Sequence, residues 1–345
     1  MRANFEKGKL HRPPSYMDKN KILFIVLFFI IAGLFLYSPS FRETKVKVEK
    51  IIKLSLSYIQ KENRFSPAQI YLPSDELKQS DTFLIKISGP LSEGKITGEF
   101  DLKKIDFFQT AEIPPQEGEA LPIKLSGKAA ILGIDVNEKP GEHILIINFS
   151  NGEKIERKIN TIKTEFPTTE LLITKELKEK GYTDSKIIDN IQGKENLILK
   201  KIIGVYTDEA YFNKAFINPL KNIKIVGAFG IVKKTGSSTV QHLGVDLDAK
   251  IGTPVFASND GLVSFSQELP DYGKTLIIDH GLGIFSLYLH LDKFEVSEGE
   301  KVTQGQIIGL SGNTGYSIAP HLHFSIKINE ANVDPLIFLE ITKSY

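Results

Sequence analysis

The sequence has no cysteine, no tryptophan and only two methionines among 345 residues. The first absence removes disulfides, thiolate metal ligands, cysteine nucleophiles and a lipidated cysteine anchor together. Any metal or catalytic centre must therefore be built from histidine and carboxylates. Long basic blocks are also missing, and the formal net charge is only +1. The electrostatic footprint of nucleic-acid binding is thus absent, and nucleic acid is not expected as a partner. What the chain does have is a hydrophobic fraction of 41% and a length beyond one ordinary domain. Two or three folded units plus connectors follow.

Lack of cysteine does not set a compartment, but one apolar run does. Ile22 to Tyr37 reads ILFIVLFFIIAGLFLY, without a charge, and follows Arg2, Lys7, Lys9, Arg12, Lys19 and Lys21. A hydrocarbon core of about 30 Å needs a run of this kind, and a secretory signal would need a small-residue cleavage site after it. Ser38-Pro39-Ser40 offers no A-x-A. Residues 22–38 are therefore read as an uncleaved transmembrane anchor, with a cleaved signal as the alternative. Basic residues ahead of it place segment 1–21 in the cytoplasm and the body in the periplasm or outside the cell, although Arg42, Lys45, Lys47 and Lys50 pull the other way. The lipid bilayer becomes one expected partner.

Residues 44–80 form a membrane-proximal segment with no recognisable chemistry. From 81 to 165 short alternating runs predict strands, among them Phe83 to Ile87, Lys95 to Phe100 and Gly133 to Val136. His143 to Ser150 meets Glu153 to Ile159 across Asn151-Gly152, a strong hairpin signal. The spacing suggests an Ig-like β-sandwich with a spacing or docking role. Between 166 and 226 a helical linker is expected: Thr183 can cap, Ile187, Ile188, Ile191, Ile198 and Ile202 recur at helical spacing, and Gly204 can terminate. Residues 227–340 return to glycine-rich short strands without a long helical period, which predicts a compact all-β domain. The fold class is mainly β.

Seven histidines occur, and His242, His280, His290, His321 and His323 crowd into that last domain. In Pro320-His321-Leu322-His323-Phe324 two imidazoles lie two apart on a strand and share a face. In His242-Leu243-Gly244-Val245-Asp246 an extended backbone puts His242 and Asp246 on one face, with Gly244 leaving room between them. Catalytic zinc takes three ligands from His, Asp and Glu and keeps a position open. His242 and Asp246 supply two, and one histidine of the His321/His323 pair a third, so zinc is the expected cofactor. His280, like His143, has a structural reading first.

These residues carry a resemblance. His242-Leu-Gly-Val-Asp246, Gly252-Thr-Pro-Val255, Asn259-Asp-Gly-Leu-Val263, Ile278-Asp-His-Gly281, Tyr288-Leu-His-Leu291, Gly305-Gln-Ile-Ile-Gly309, Gly312-Asn-Thr-Gly315 and Pro320-His-Leu-His-Phe324 stand in order over about a hundred residues. The series resembles the successive motifs of lysostaphin/LytM-type zinc metalloendopeptidases. The resemblance implies an all-β LytM-like domain, the duplicated hybrid motif, that cleaves peptide cross-links of bacterial peptidoglycan. It implies zinc ligation by His242, Asp246 and His323, and catalytic roles for His290 and His321. Tyr288, Asn313 and Thr314 fall where substrate would be bound. Ser325, Ala319 and Lys274 depart from the family pattern, which commonly has Glu, Gly and Asn there. None is a ligand, so the departures bear on groove polarity and substrate preference. The part ahead of the peptidase-like domain more loosely resembles the front half of membrane-anchored members.

Two rival readings stand beside the enzyme. Relatives that have lost metal ligands activate cell-wall amidases, and an intact site blocked by the preceding part would also be regulatory, with other envelope proteins as partners. All five key residues are present here, which favours the enzyme. Val296 to Gln306 resembles a turn of biotinyl or lipoyl carrier barrels, but such carriers flank their lysine with methionine, and the only methionines are Met1 and Met17.

Overall fold

The fold begins from short apolar alternations closed by turns. A computed structural model describes residues 68–71, 76–87, 89–92, 94–110 and 127–343. The anchor expected at 22–38 and the greater part of segment 44–80 lie outside the described residues. Among the described residues no helix is long and apolar enough to cross a membrane.

The front part contributes β1 (Ala68–Tyr71), β2 (Leu77–Lys78), β3 (Thr82–Ile87), β4 (Ile96–Phe100), β5 (Lys103–Ile105), β6 (Phe108–Gln109), β7 (Lys128–Gly133), β8 (Gly141–Phe149) and β9 (Lys154–Ile162). They form one sheet in the order β1-β3-β7-β6 and a second in the order β2-β9-β8-β4-β5. The β8–β9 hairpin turns at Asn151-Gly152, where Gly152 takes the left-handed φ of 87° that this turn requires. Phe83, Ile85 and Leu132 of the first sheet pack on Phe100, Leu145 and Ile147 of the second. The β2–β9 pair is parallel.

This sandwich does not end at its own core. β3 is buried on both faces, and Leu84, Ile131 and Val136 join the apolar cluster that holds Ile328, Val333 and Phe338 near the C-terminus. A chain with a second buried face reads as a continuous apolar run, as Thr82-Phe-Leu-Ile85 does. All the described residues fall in one compact unit.

Next come β10 (Thr168–Glu170) and three helical pieces, α1 (Lys175–Glu179), α2 (Asp184–Ile188) and α3 (Glu195–Ile203). Thr183 caps α2 through its hydroxyl, and Gly204 ends α3, as the sequence suggests. Residues 189–194 between α2 and α3 form a π turn around Gly193. The extra residue shifts the buried face: Ile187, Glu195, Leu199 and Ile203 point inward, whereas Ile198 is partly exposed. The expected helical linker is therefore helical only in part. It opens as a strand, since β10 pairs in parallel with the strand Val232–Thr235, and no helix follows Gly204 before residue 226. The capping and periodic signals cover only 183–204.

The remainder supplies β11 (Ile225–Gly227), β12 (Val232–Thr235), β13 (Ser238–Gln241), β14 (Val245–Asp248), β15 (Pro254–Phe256), β16 (Gly261–Leu269), β17 (Gly273–Asp279), β18 (Ile284–Phe294), β19 (Lys301–Val302), β20 (Ile307–Ser311), β21 (His321–Ile328) and β22 (Ala331–Val333). A large sheet runs β11-β14-β21-β18-β17-β16-β19. One element corrects the all-β expectation: Pro335–Thr342 forms α4. Asp334 caps it by accepting from the Leu336 amide at 2.8 Å, and Pro335 starts it where a missing N–H costs nothing. Its Phe338 packs into the cluster shared with β3 and β7.

The shared core is testable at Gly133, where a Cβ would meet Val333 Cγ1 at 2.5 Å. Gly133→Val should destabilise the protein by about 1–3 kcal/mol through overpacking. Calorimetry should show one transition moving as a whole, because the sandwich and the C-terminal sheet share the joint.

Candidate metal centre

The candidate site lies on the neighbouring strands β14, β21 and β18. Antiparallel pairing sets Asp246 opposite His323 and Asp248 opposite His321, and β18 places Leu289 opposite His323 on the other side. Directly opposed residues share a sheet face. His242 arrives from the turn before β14 and folds its ring onto the same spot. Its Nε2 lies 2.9 Å from Asp246 Oδ1 and 3.0 Å from His323 Nδ1, and His323 Nδ1 lies 2.8 Å from Asp246 Oδ1.

Those three atoms face one another with few protons to share. His242 donates its Nδ1–H to the Ala228 carbonyl at 2.7 Å, so in the neutral ring Nε2 presents a lone pair. His323 Nε2 is bonded to the Ser325 hydroxyl at 2.9 Å, which leaves Nδ1 for the cluster. Burial opposes the charge of Asp246, but His242, His321 and His323 outweigh it and hold the carboxyl well below the usual carboxylate range. Burial lowers His323 to about 4. A neutral pair of imidazoles and a carboxylate, each oriented by an outer partner, is a donor set that fits a divalent cation. Among the described residues this is the one group of its kind, its donor atoms lying within 4.8 Å of one another.

Two further histidines border the cluster. His321 Nε2 is 3.4 Å from Asp246 Oδ1, and its Nδ1–H donates to the Ala319 carbonyl at 2.7 Å. His290 donates Nδ1–H to the Thr314 carbonyl at 2.8 Å, and its ring centroid is 4.9 Å from that of His321. Burial pushes His290 well below its ordinary value, with the neighbouring histidines adding to the effect. Burial opposes the charge of His321, but its hydrogen bond to Asp246 and the charge of that carboxylate outweigh it and raise His321 above its ordinary value. Both rings turn Nε2 away from the backbone carbonyls.

His290 reaches this position by an irregularity. Its φ is 62°, and the pairing register of β18 shifts around Leu291. The bulge breaks the period of two, so Leu289 and His290 both border the cavity beside the cluster. Tyr288 is corrected by the same device. Expected to contact substrate, it is wholly buried in the core, with its hydroxyl bonded to Ser258 and Ser286. Asn313 accepts from Ser317 Oγ, while the Thr314 hydroxyl donates to Leu291 and its carbonyl holds His290. Asn313 is engaged within its own loop, Thr314 ties that loop to β17 and β18 by also accepting from the Lys274 amide at 3.0 Å, and both stand outside the cavity lining. His280 is completely buried between Asp260 and Ser286.

The cavity over the cluster measures about 530 Å³. The sheet forms its floor, and Ile191, Gln192, Asn196 and Leu199 of the helical segment form its roof. Glu195 fastens that roof by accepting from the amides of Asp271 and Tyr272 at 2.7 and 3.1 Å. Tyr316 donates to the Leu172 carbonyl at 2.6 Å, and Tyr182 to that of Pro270 at 2.8 Å. Burial raises Glu195 to about 7 and Asp271 to about 6.

Comparison with known proteins agrees with the geometry. Residues 240–335 match peptidase family M23. The peptidoglycan DD-endopeptidase ShyA of Vibrio cholerae is 43% identical over 95 residues, 28% of this chain and 22% of that protein. The DD-carboxypeptidase/endopeptidase Mpg of Neisseria meningitidis serogroup B is 40% identical over 121 residues, 35% of this chain and 28% of that protein. All three ligand candidates and both neighbouring histidines lie inside the matched span. This chain carries a peptidase family M23 domain. The M23 domain belongs to a metal-dependent peptidase family, and its His/Asp cluster can hold the metal. Among solved structures, the catalytic domain of lysostaphin from Staphylococcus simulans is 36% identical, covering 34% of this chain and 93% of that one, with a TM-score of 0.32. The chain spans about a quarter of the length of the two curated relatives.

Sequence reasoning missed the groove-forming partners of the M23 domain. Ser325 was legible only as a departure from the family, yet it orients His323; Leu287, Leu289 and the π turn carry no local signal for lining a cavity.

Three outcomes are expected. His323→Ala should abolish stoichiometric metal uptake measured by atomic emission, whereas His321→Ala should retain it. Gly244→Ala should lower metal affinity, since a Cβ there would meet His323 Nε2 at 2.4 Å. The third concerns pH. Glu195 and Asp271 titrate higher in the folded protein than in the unfolded chain, so the fold holds extra protons between about pH 4 and 7 and loses their stabilising contribution as pH rises through that window. Glu195→Gln should therefore lose less melting temperature than wild type between pH 5 and pH 8.

Proposed function

We propose that the chain is a zinc-dependent endopeptidase that hydrolyses peptide cross-links of bacterial peptidoglycan during cell-wall remodelling. The observation that carries this reading is the convergence of His242, Asp246 and His323, with His290 and His321 beside them. The activities of the ShyA and Mpg relatives, a peptidoglycan DD-endopeptidase and a DD-carboxypeptidase/endopeptidase, point to the substrate. Residues 22–38 are proposed to anchor the protein in the membrane with the M23 domain in the periplasm or outside the cell.

When bound, a divalent ion supplies Lewis acidity, polarising a scissile carbonyl and acidifying water. His242, Asp246 and His323 would hold it, and the absence of thiolates together with a His₂Asp set suits zinc. His290 and His321 do the proton work. Each has its Nδ1–H committed to a backbone carbonyl, so each neutral ring offers Nε2 as an acceptor; burial favours that form in His290, whereas Asp246 favours the protonated form of His321, suited to donating. Once protonated, the accepting ring can return the proton to the departing amine. Leu287 and Leu289 give the floor an apolar stretch that keeps water from competing at the peptide.

The roof favours a second, regulatory reading of the same site: the helical segment must part, or the substrate must thread beneath it, before a polymer is cut. Incubating zinc-loaded protein with purified sacculi tests the main reading. Wild type should release soluble peptides, and His242→Ala should release none. Fully zinc-loaded wild type that frees no peptide would sink the enzyme reading and leave the regulatory one.

A further inference from the structure

Beyond the metal cluster the floor of the groove continues along β21, and its far end is charged. His321, His323, Ser325 and Lys327 lie at every second position of this strand and all border the cavity. Lys327 is only 8% exposed. A buried ammonium is costly unless a counterion accompanies it. Among the described residues no carboxylate forms an ion pair with it. Its hydrogen bond goes instead to the neutral Asn332 side chain. Asn332 is itself turned by Asp135, whose Oδ2 accepts from its backbone amide at 2.7 Å and its side-chain amide at 3.0 Å. Asp135 and Glu330 act on the ammonium from a distance, Lys200 opposes them, and burial pulls its pKa down to about 8. One donor of the ammonium is thus fixed in place, while two remain for a ligand.

The wall beside this lysine comes from the front sandwich. Asn137 borders the same cavity, in a turn where its amide donates to Asp135 Oδ1 at 2.8 Å and the Val136 amide donates to the Asn332 carbonyl at 3.2 Å. Ser325, Leu287, Leu289 and Leu199 border the same cavity without charge; of its carboxylates, Asp246 and Asp248 lie opposite His323 and His321, and Asp271 lies where Glu195 fastens the roof.

We propose that Lys327, with Asn137 beside it, forms an anion subsite that receives a carboxylate of the peptide bound in the groove. The subsite sets specificity for the reaction proposed above and rests on that reading for the identity of its ligand as a peptide. Lys327 lies four positions along β21 from His323, about 13 Å at strand rise. An extended peptide covers that span in about four residues. The preferred substrate therefore carries a carboxylate, from an acidic side chain or a chain end, about four residues from the bond at the metal cluster. The missing counterion of Lys327 belongs to the ligand.

The test uses two synthetic peptides that differ only in a carboxylate or a carboxamide at that distance, with the full-length zinc-loaded protein. Binding is read by fluorescence anisotropy and hydrolysis by chromatography. Wild type should prefer the carboxylate peptide by about tenfold or more, mainly in Kd and KM. Lys327→Met, close in volume and free of charge, should erase the preference by weakening the carboxylate peptide alone, and Lys327→Arg should keep it. Melting temperatures of the variants establish that they are folded. Tight, selective binding without hydrolysis would remove the peptidase reading and leave the subsite standing. Equal handling of both peptides by wild type, no binding of the carboxylate peptide, or an equal loss on both in Lys327→Met would overturn the subsite.

Discussion

The antiparallel register between β14 and β21 is the constraint on which the site depends. It puts Asp246 across from His323, and a slip of one residue would turn every side chain of the strand to the opposite face. Several small residues exist around this pairing because the donors need space. A Cβ on Gly244 would collide with His323 and Ser325, and one on Gly227 would meet Asp246 Oδ2 at 2.4 Å. The outer hydrogen bonds to Ala228 and Ser325 then choose which nitrogen of each ring faces inward. Geometry, tautomer and charge at the cluster all trace back to one strand pair.

The groove above that pair is made by parts of the chain far apart in sequence. Its floor is β18 and β21, its roof comes from residues around the π turn, and its far wall includes a turn of the front sandwich. These parts hold together because Leu84, Ile131 and Val136 share an apolar cluster with Val333 and Phe338, while Glu195 bonds the helical segment to the β16–β17 turn. A spacing role alone does not describe the sandwich. It is a structural partner of the M23 domain and shapes where a bound peptide would extend.

Burial gives these polar connections their chemical character. Burial raises both Glu195 and Asp271, the charge of Asp271 adds to the shift of Glu195, and both keep protons at higher pH than free carboxyls do. Lys327 is displaced in the other direction by the same desolvation. The groove therefore has a metal-binding end, an apolar middle and a cationic end, with an acidic seam beneath its roof.

The order of the histidine and aspartate motifs, the Asn151-Gly152 hairpin and the Thr183 and Gly204 helix ends were legible in the chain, because each depends on local spacing or on one residue's backbone preference. Asp246 and the His321/His323 pair were legible for the same reason, an extended backbone alternating with a period of two; the choice of His323 rested on the family resemblance, and His242 reaches the cluster from a turn ahead of β14 and not from an extended strand. Tyr288 failed where that period fails, since a positive φ at His290 breaks the alternation and leaves the tyrosine in the core. The helix at 335–342 was hidden by its apolar sequence, which buried strand and buried helix share. The roof, the common core and the isolation of Lys327 were decided only by the tertiary structure. Each rests on contacts between segments distant in sequence, and periodicity along a single segment says nothing about which other segment will cover it.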